Sequence, residues 1–247
     1  MSDMYEVQNC FKRVETKYLL TQKQAQAVHR GMLRYVRPDE YSRYTICNIY
    51  YDTEDYFLIR TSLGKPAYKE KLRLRSYGVP GSRDAVFVEL KKKFDGVVYK
   101  RRITVDALEA ERSVRAGRFF RCDQISREIN WFLHRWQPVP AAYIGYDREA
   151  WKGIDDPELR ITFDTCLRGR DWDLDLRAGD YGELLLPPEN VLMEVKLAGG
   201  APLWLARLLS ENSIFPASFS KYGTYYKHLM GTVPVYGSYW PEVKCYA

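Results

Sequence analysis

The sequence predicts an α+β fold in which eight strands close into an antiparallel β-barrel with a charged interior, packed by surrounding helices. Three observations predict it. Eight segments read as strands, and at least six of them set charged against apolar residues with the period of two that sends successive side chains to opposite faces. Segments with helix-capping residues and a helical apolar stripe lie between and after them. The 247 residues, 46% hydrophobic and 28% charged, show no internal repeat and no interdomain linker. That composition is ordinary for a globular chain and excludes a disordered, collagen-like or disulfide-scaffold one.

The elements follow in chain order. Phe11 to Leu20 puts Arg13, Glu15 and Lys17 on one face and Val14, Thr16, Tyr18 and Leu20 on the other. A helix over Thr21 to Val36 opens with a capping box of Thr21 and Gln24. Tyr44 to Asp52 alternates again, Cys47, Ile49 and Tyr51 against Ile46, Asn48 and Tyr50. Lys69 to Arg75 is the clearest strand, with Lys69, Lys71, Arg73 and Arg75 on one face and Glu70, Leu72 and Leu74 on the other. Val86 to Lys93 gathers Phe87, Glu89, Lys91 and Lys93 against Val86, Val88 and Leu90. Phe94-Asp95-Gly96 then turns the chain into Val97 to Val105, where Lys100, Arg102 and Thr104 oppose Tyr99, Ile103 and Val105.

Helices are expected over Asp106 to Ala116, capped by Asp106, and over Gln124 to Trp136, whose stripe is Ile125, Ile129, Phe132, Leu133 and Trp136. Ala142 to Trp151 is a strand of ambiguous parity. Leu159 to Cys166 sets Arg160, Thr162 and Asp164 against Leu159, Ile161 and Phe163, and Val191 to Leu197 sets Glu194 and Lys196 against Val191, Met193 and Val195. The acidic stretch 171–190 carries Pro187-Pro188 and reads as a loop. Two more helices, Ala201 to Glu211 and Lys221 to Met230, precede a Gly/Pro/Tyr-rich tail, 231–247, expected to be peripheral.

Charge is concentrated. Arg60 to Arg102 holds 13 Lys/Arg and 4 Asp/Glu, a net of +9, against +6 for the whole chain, so the remainder carries −3. One basic stretch points to a local anion site rather than to a generally basic protein. No run approaches the roughly 18 apolar residues of a membrane helix, and the N-terminus lacks the basic and apolar regions of a secretory signal. The five cysteines are scattered without C-x-x-C, which indicates neither a zinc site nor a disulfide framework. A reduced, cytoplasmic protein without membrane insertion is expected.

Rival motifs are weak. No phosphate-binding glycine loop of the G-x-x-x-x-G-K-[ST] or G-x-G-x-x-G type is present. Asp171-x-Asp173-x-Asp175 begins like a calcium loop but has Leu176 where glycine is needed and Gly182 at the final glutamate position. The three histidines, His29, His134 and His228, all fall in expected helices and read as packing or surface residues.

Charge on the alternating face of at least six strands needs an explanation. If those faces point into a barrel, the lumen holds Arg13, Lys17, Lys71, Arg73, Arg75, Lys91, Lys100, Arg102, Arg160 and Lys196. Burying so many like charges costs several kcal/mol per ion unless counter-charge enters. Glu15, Glu89 and Glu194 are too few to supply it. A row of phosphates, with a divalent cation on the glutamates, would.

The motifs themselves resemble a known family. Phe11-Lys-Arg13-x-x-x-Lys17-Tyr18, Lys71-Leu-Arg73-Leu-Arg75-x-Tyr77-Gly78, Glu89-Leu-Lys91 and Tyr99-Lys100-Arg101-Arg102 come first. Tyr146-Asp-Arg148-x-Ala150, Arg160-Ile-x-x-Asp164-Thr165, Glu194-Val-Lys196 and Phe219-Ser220-Lys221-Tyr222 follow in the same order. Together they resemble the vacuolar transporter chaperone (VTC) domain, the polyphosphate polymerase branch of the triphosphate tunnel metalloenzymes. The resemblance implies a tunnel domain over 1–230 that uses ATP and Mn²⁺ or Mg²⁺ to extend polyphosphate. It implies catalytic roles for Arg73, Arg75, Lys91, Arg148, Arg160 and Lys196. Arg13, Lys17, Lys71, Lys100, Arg102, Ser220 and Lys221 would bind substrate, and Glu194, helped by Glu89, the metal. The sister triphosphatase and cyclase branch has E-x-E-x-K in its first strand, whereas this chain has Arg13-x-Glu15-x-Lys17. That difference favours the polymerase branch. A triphosphatase of the same fold, or a noncatalytic polyphosphate- or nucleic-acid-binding module, are the alternatives. Nucleic acid is the less favoured partner because pure binding needs no metal ligand.

Overall fold

Each strand folds with its apolar face against helices, and this sets where its charges go. The computed structural model describes residues 14–240, so Arg13 and the start of the first expected strand lie outside the described residues. Two compact units emerge, each discontinuous in sequence: Met1–Ser42, Ala150–Phe163 and Val191–Ala217 in the first, and Arg43–Glu149, Asp164–Asn190 and Ser218–Ala247 in the second.

In the first unit, β1 (Val14–Leu20) runs antiparallel to β9 (Val191–Leu197), with Lys17 opposite Glu194 and Glu15 opposite Lys196. Tyr18, Leu20, Val191, Met193, Val195 and Leu197 form one buried face with Ala25, Val28 and Met32 of α1 (Gln22–Met32) and Leu205 and Leu209 of α5 (Leu203–Glu211). The expected capping box is present, with Thr21 and Gln24 satisfying each other's backbone amides. The helix ends at Met32, short of the expected Val36. Tyr35 N donates to Met32 O, and the Tyr35 ring stacks on Trp204 at 4.3 Å. The chain then enters β2 (Val36–Asp52), which starts well before the expected Tyr44.

In the second unit, β3 (Tyr68–Tyr77), β4 (Ala85–Phe94) and β5 (Val97–Asp106) form an antiparallel meander beside the end of β2. Leu72, Leu74, Val86, Val88, Leu90, Ile103 and Val105 are buried against α3 (Ala107–Arg115) and α4 (Gln124–Trp136). Asp106 and Asp123 cap these helices through Glu109 N and Ser126 N. Turning β3 and β4 over would expose Leu72, Leu74, Val86, Val88 and Leu90. At about 1.5–3 kcal/mol for each side chain, that burial decides which way the lysines and arginines point.

Two further strands, β6 (Val139–Gly153) and β7 (Arg160–Arg170), contribute to both units, as does β2. The ladders join in a ten-stranded sheet ordered β1-β9-β7-β6-β2-β3-β4-β5, with β8 (Gly182–Leu184) on β7 and β10 (Ser238–Tyr239) on β8. The antiparallel sheet with helices around it is as expected. The closed ring of eight is not: the path ends on β1 and β5, and no ladder joins these two among the described residues. The two extra strands arise from the 171–190 stretch and the tail. Residues 176–178 form a 3₁₀ turn and Gly182–Leu184 pairs with Ser238–Tyr239. The tail packs further through Trp240, which stacks on Tyr181 at 4.8 Å.

One helix has no counterpart in the expected elements. α2 (Phe57–Leu63) is capped from a distance: Asp52, at the end of β2, accepts from Leu58 N at 2.8 Å and Ile59 N at 3.0 Å. The same carboxylate accepts from the Tyr222 hydroxyl at 2.9 Å, tying α6 (Lys221–Leu229) to α2. Among the described residues, no helix is long and apolar enough to cross a membrane.

Candidate anion-binding site

The registers of β3, β4 and β5 align the charged positions in rows. Lys69 faces Lys93, Lys71 faces Lys91, and Arg73 faces Glu89. Across the next ladder Lys91 faces Lys100 and Glu89 faces Arg102. Like charges directly opposite each other destabilise a sheet, so this face is built at a cost that an anion would relieve.

Glu89 is the centre of it. Its carboxylate is 2% exposed and both oxygens are occupied. Oε2 accepts from Arg73 Nε at 2.9 Å and Nη2 at 2.7 Å, and Arg75 Nε lies 3.8 Å away. Oε1 accepts from Arg102 Nε at 2.8 Å, from Arg102 Nη2, and from Lys100 Nζ at 2.8 Å. Burial pushes the Glu89 carboxyl up, but Arg73, Arg75 and Lys100 pull it far below the usual carboxylate range. Four cations share one carboxylate, which leaves a local excess of about three positive charges.

That excess reshapes its neighbours. Tyr50 donates no charge of its own, yet its hydroxyl accepts from Arg73 Nη1 at 3.0 Å. Burial alone would push the phenol up; the Arg73, Arg75 and Lys71 charges outweigh it and bring Tyr50 down to about 8. Lys100 also falls to about 8, because burial and the nearby Arg102 and Arg75 outweigh Glu89.

Arg75 extends the network. Its Nε donates to Asn48 Oδ1 at 3.0 Å and its Nη2 to the Tyr146 hydroxyl at 3.4 Å. The Tyr146 ring carries Lys221 Nζ at 4.6 Å and the Arg148 guanidinium at 5.2 Å. Both of these cations converge on Asp164, which is fully buried. Arg148 grips it with a fork, Nε–Oδ1 2.6 Å and Nη2–Oδ2 2.7 Å, and Lys221 Nζ reaches Oδ2 at 2.7 Å. Ser220 serves α6 as its cap, accepting from Gly223 N at 3.1 Å. The second unit therefore brings together Arg73, Arg75, Lys100, Arg102, Arg148 and Lys221, with Lys71 and Lys91 in the adjoining row.

In the first unit, Lys17 Nζ lies 3.6 Å from Glu194 Oε1 and 3.7 Å from Glu15 Oε1. Lys196 faces Glu15 across the ladder. Arg160, at the start of β7, is largely exposed and pairs with Asp39 at 3.6 Å. Two carboxylates around one ammonium make a place suited to a cation. Hard divalent ions often take one or two protein carboxylates and complete their shell with phosphate oxygens and water. Glu194 with Glu15 fits such an ion. Glu89 does not, because nitrogen donors saturate it. Among the described residues no group of three or more His, Cys, Asp or Glu could hold a metal by itself.

Several residues escaped the sequence reading. Tyr50, Asn48 and Tyr146 sit on the charged face as polar anchors, and the signal for Asn48 was a lone amide inside an apolar strand. Arg168 and Arg170 are fully buried on the other side. Arg168 is forked on Asp180, and Arg170 lies 3.7 Å from the Tyr143 ring and 4.1 Å from Tyr181. Strict alternation would put Arg168 on the face of Asp164. Cys166, with φ +48, interrupts β7 and switches the parity.

The family model described as the VTC domain matches residues 12–230. No curated protein matches the chain. Among solved structures, the chain is similar to a protein of Bacillus halodurans described as a candidate adenylate cyclase, at 14% identity and a TM-score of 0.52, over 84% of this chain and 93% of that one. It is also similar to a Hippeastrum protein described as a candidate adenylyl cyclase with dominant triphosphatase activity. There the identity is 14% and the TM-score 0.53, over 90% of this chain and 97% of that one.

Proposed function

The chain belongs to the VTC domain family, and from that premise we propose that it is a polyphosphate polymerase acting in the cytoplasm, with ATP and polyphosphate as substrates and Mn²⁺ or Mg²⁺ as cofactor. The observation that carries the reading is the Glu89 cluster, four cations on one buried carboxylate. Its excess charge supports a polyanionic substrate.

In the proposed reaction, a terminal oxygen of the polyphosphate chain attacks the γ-phosphorus of ATP. The bond from the β,γ-bridging oxygen to the γ-phosphorus breaks, and ADP leaves with that oxygen and its electron pair. The attacking oxygen is already ionised at neutral pH, so no general base is needed, in keeping with three histidines that all lie in helices. Such transfers rest on positioning and charge stabilisation. Arg73, Arg75 and Arg102 offer their remaining guanidinium N–H groups to phosphate oxygens, with Lys71, Lys91 and Lys100 as point charges beside them. Glu89 holds these forks in place without neutralising them. Asp164 does the same for Arg148 and Lys221. We assign Lys17 and Lys196, with Arg13 and Arg160, to the phosphate path, and Ser220 to substrate through the helix it caps. Glu194, helped by Glu15, would hold the divalent ion, which would supply positive charge against the phosphates.

The test is incubation with ATP and Mn²⁺, with products resolved on a polyphosphate gel. The wild-type chain is expected to form polymer. Arg73→Ala and Glu194→Gln are each expected to reduce it by on the order of 10²–10³. Polymer formation retained by both variants would refute the assignment. Orthophosphate without chains would establish the triphosphatase reading instead. Tight, salt-sensitive binding without turnover would establish the binding module.

A further inference from the structure

The helix side of the second unit holds a cavity of about 830 Å³, formed by the ends of α3 and α4, the start of β6 and the turn after β7. Its size is that of a small-molecule site. Val114, Leu133 and Leu174 provide an apolar wall. Tyr51 also lines it. The Tyr51 side chain is on the opposite face of β2 from Tyr50, is only 6% exposed, and its hydroxyl has no hydrogen-bond partner among the described residues. Tyr51 lines the cavity, so its phenol is offered to a ligand there.

Three carboxylates line it, against the guanidinium of Arg115. Asp173 and Asp175, from the acidic motif that fails as a calcium loop, line the cavity with Glu111. Arg115 and Arg177 tie up Glu111, and Arg177 also holds Asp175. Asp173 is different: its carboxylate accepts from the Tyr181 hydroxyl at 2.5 Å and has no cationic partner among the described residues. α3 and α4 both end at the wall, with caps Ala116 and Gln137. Helix C-termini carry about −0.5 charge each and favour cations. Burial, with Glu111 and Asp175 nearby, pushes the Tyr51 phenol up and keeps it neutral.

We propose that this cavity binds an amphipathic organic amine, its ammonium held by Asp173 and Tyr51 and its apolar body against Val114, Leu133 and Leu174. The site is independent of the phosphate-binding face.

Calorimetric titration of the full chain with 2-phenylethylamine tests it, with 2-phenylethanol as the uncharged analogue and saturating tripolyphosphate present or absent. Saturable one-site binding of the amine is expected, at least roughly tenfold tighter than the alcohol and unchanged by tripolyphosphate. Asp173→Asn and Tyr51→Phe are each expected to weaken it on the order of tenfold. Asp173 is exposed, so its variant decides the matter if Tyr51→Phe disturbs folding. No saturable binding, equal binding of the alcohol, competition by tripolyphosphate, or undiminished binding by Asp173→Asn would each overturn the proposal. A chain that makes no polyphosphate but binds the amine as described would leave this inference standing and remove only the polymerase reading.

Discussion

Replacing Glu89 with Gln removes the one negative charge among four cations while keeping side-chain shape. Breaking a buried ion pair from one side costs about 3–5 kcal/mol. Here the Lys100 and Arg102 side chains are 45% and 34% exposed, so water carries part of their loss. We therefore take the low end, about 3 kcal/mol. For a chain of this size that lowers the melting temperature by about 6–12 °C. Tripolyphosphate should then stabilise the variant more than the wild type, because it supplies the missing counter-charge. At a concentration of about one hundred Kd the gain is ~2.7 kcal/mol. The assay is thermal denaturation of both proteins with and without tripolyphosphate. Acid adds a second arm. The native Glu89 carboxyl is depressed, so its contribution is full above the unfolded value of about 4.3 and fades as pH falls toward the native value. The wild type should lose more stability than Glu89→Gln between about pH 5 and 2. Equal melting temperatures, or equal gains from tripolyphosphate, would refute the reasoning.

Two other consequences follow from the same geometry. Lys100 loses its charge and Tyr50 gains one near pH 8, so both changes reduce positive charge as pH rises. Affinity for tripolyphosphate at fixed ionic strength should fall above pH 8, and Tyr50→Phe should flatten part of that fall; a pH-independent affinity would contradict it. Asp52→Ala strips the acceptor from Leu58 N, Ile59 N and the Tyr222 hydroxyl together. A loss of about 2–4 kcal/mol in chemical denaturation is expected, with α2 amides showing the largest rise in hydrogen exchange.

Much of this protein follows from its chain alone. Alternation placed Lys71, Arg73, Arg75, Lys91, Lys100 and Arg102 on one face of three consecutive strands, because burial of Leu72, Val88 and Leu90 leaves the opposite parity no choice. Local capping by Thr21, Asp106 and Asp123 marked three helix starts for the same reason: the interaction spans only three residues. What sequence periodicity left undecided required contacts between distant residues. α2 forms because Asp52 reaches its amides from the end of a strand. The 171–190 stretch and the tail gain strands because they pair with each other, at a separation that periodicity does not register. The parity of β7 changes at Cys166, so Asp164 and Arg168 part to different faces. Glu89 shows the same division. Its place on the charged face was legible in its own strand, but its role as counter-ion to four cations, and not as a metal ligand, depended on three strands meeting in register. Periodicity reports which way a side chain points; only the folded neighbours decide what it meets there.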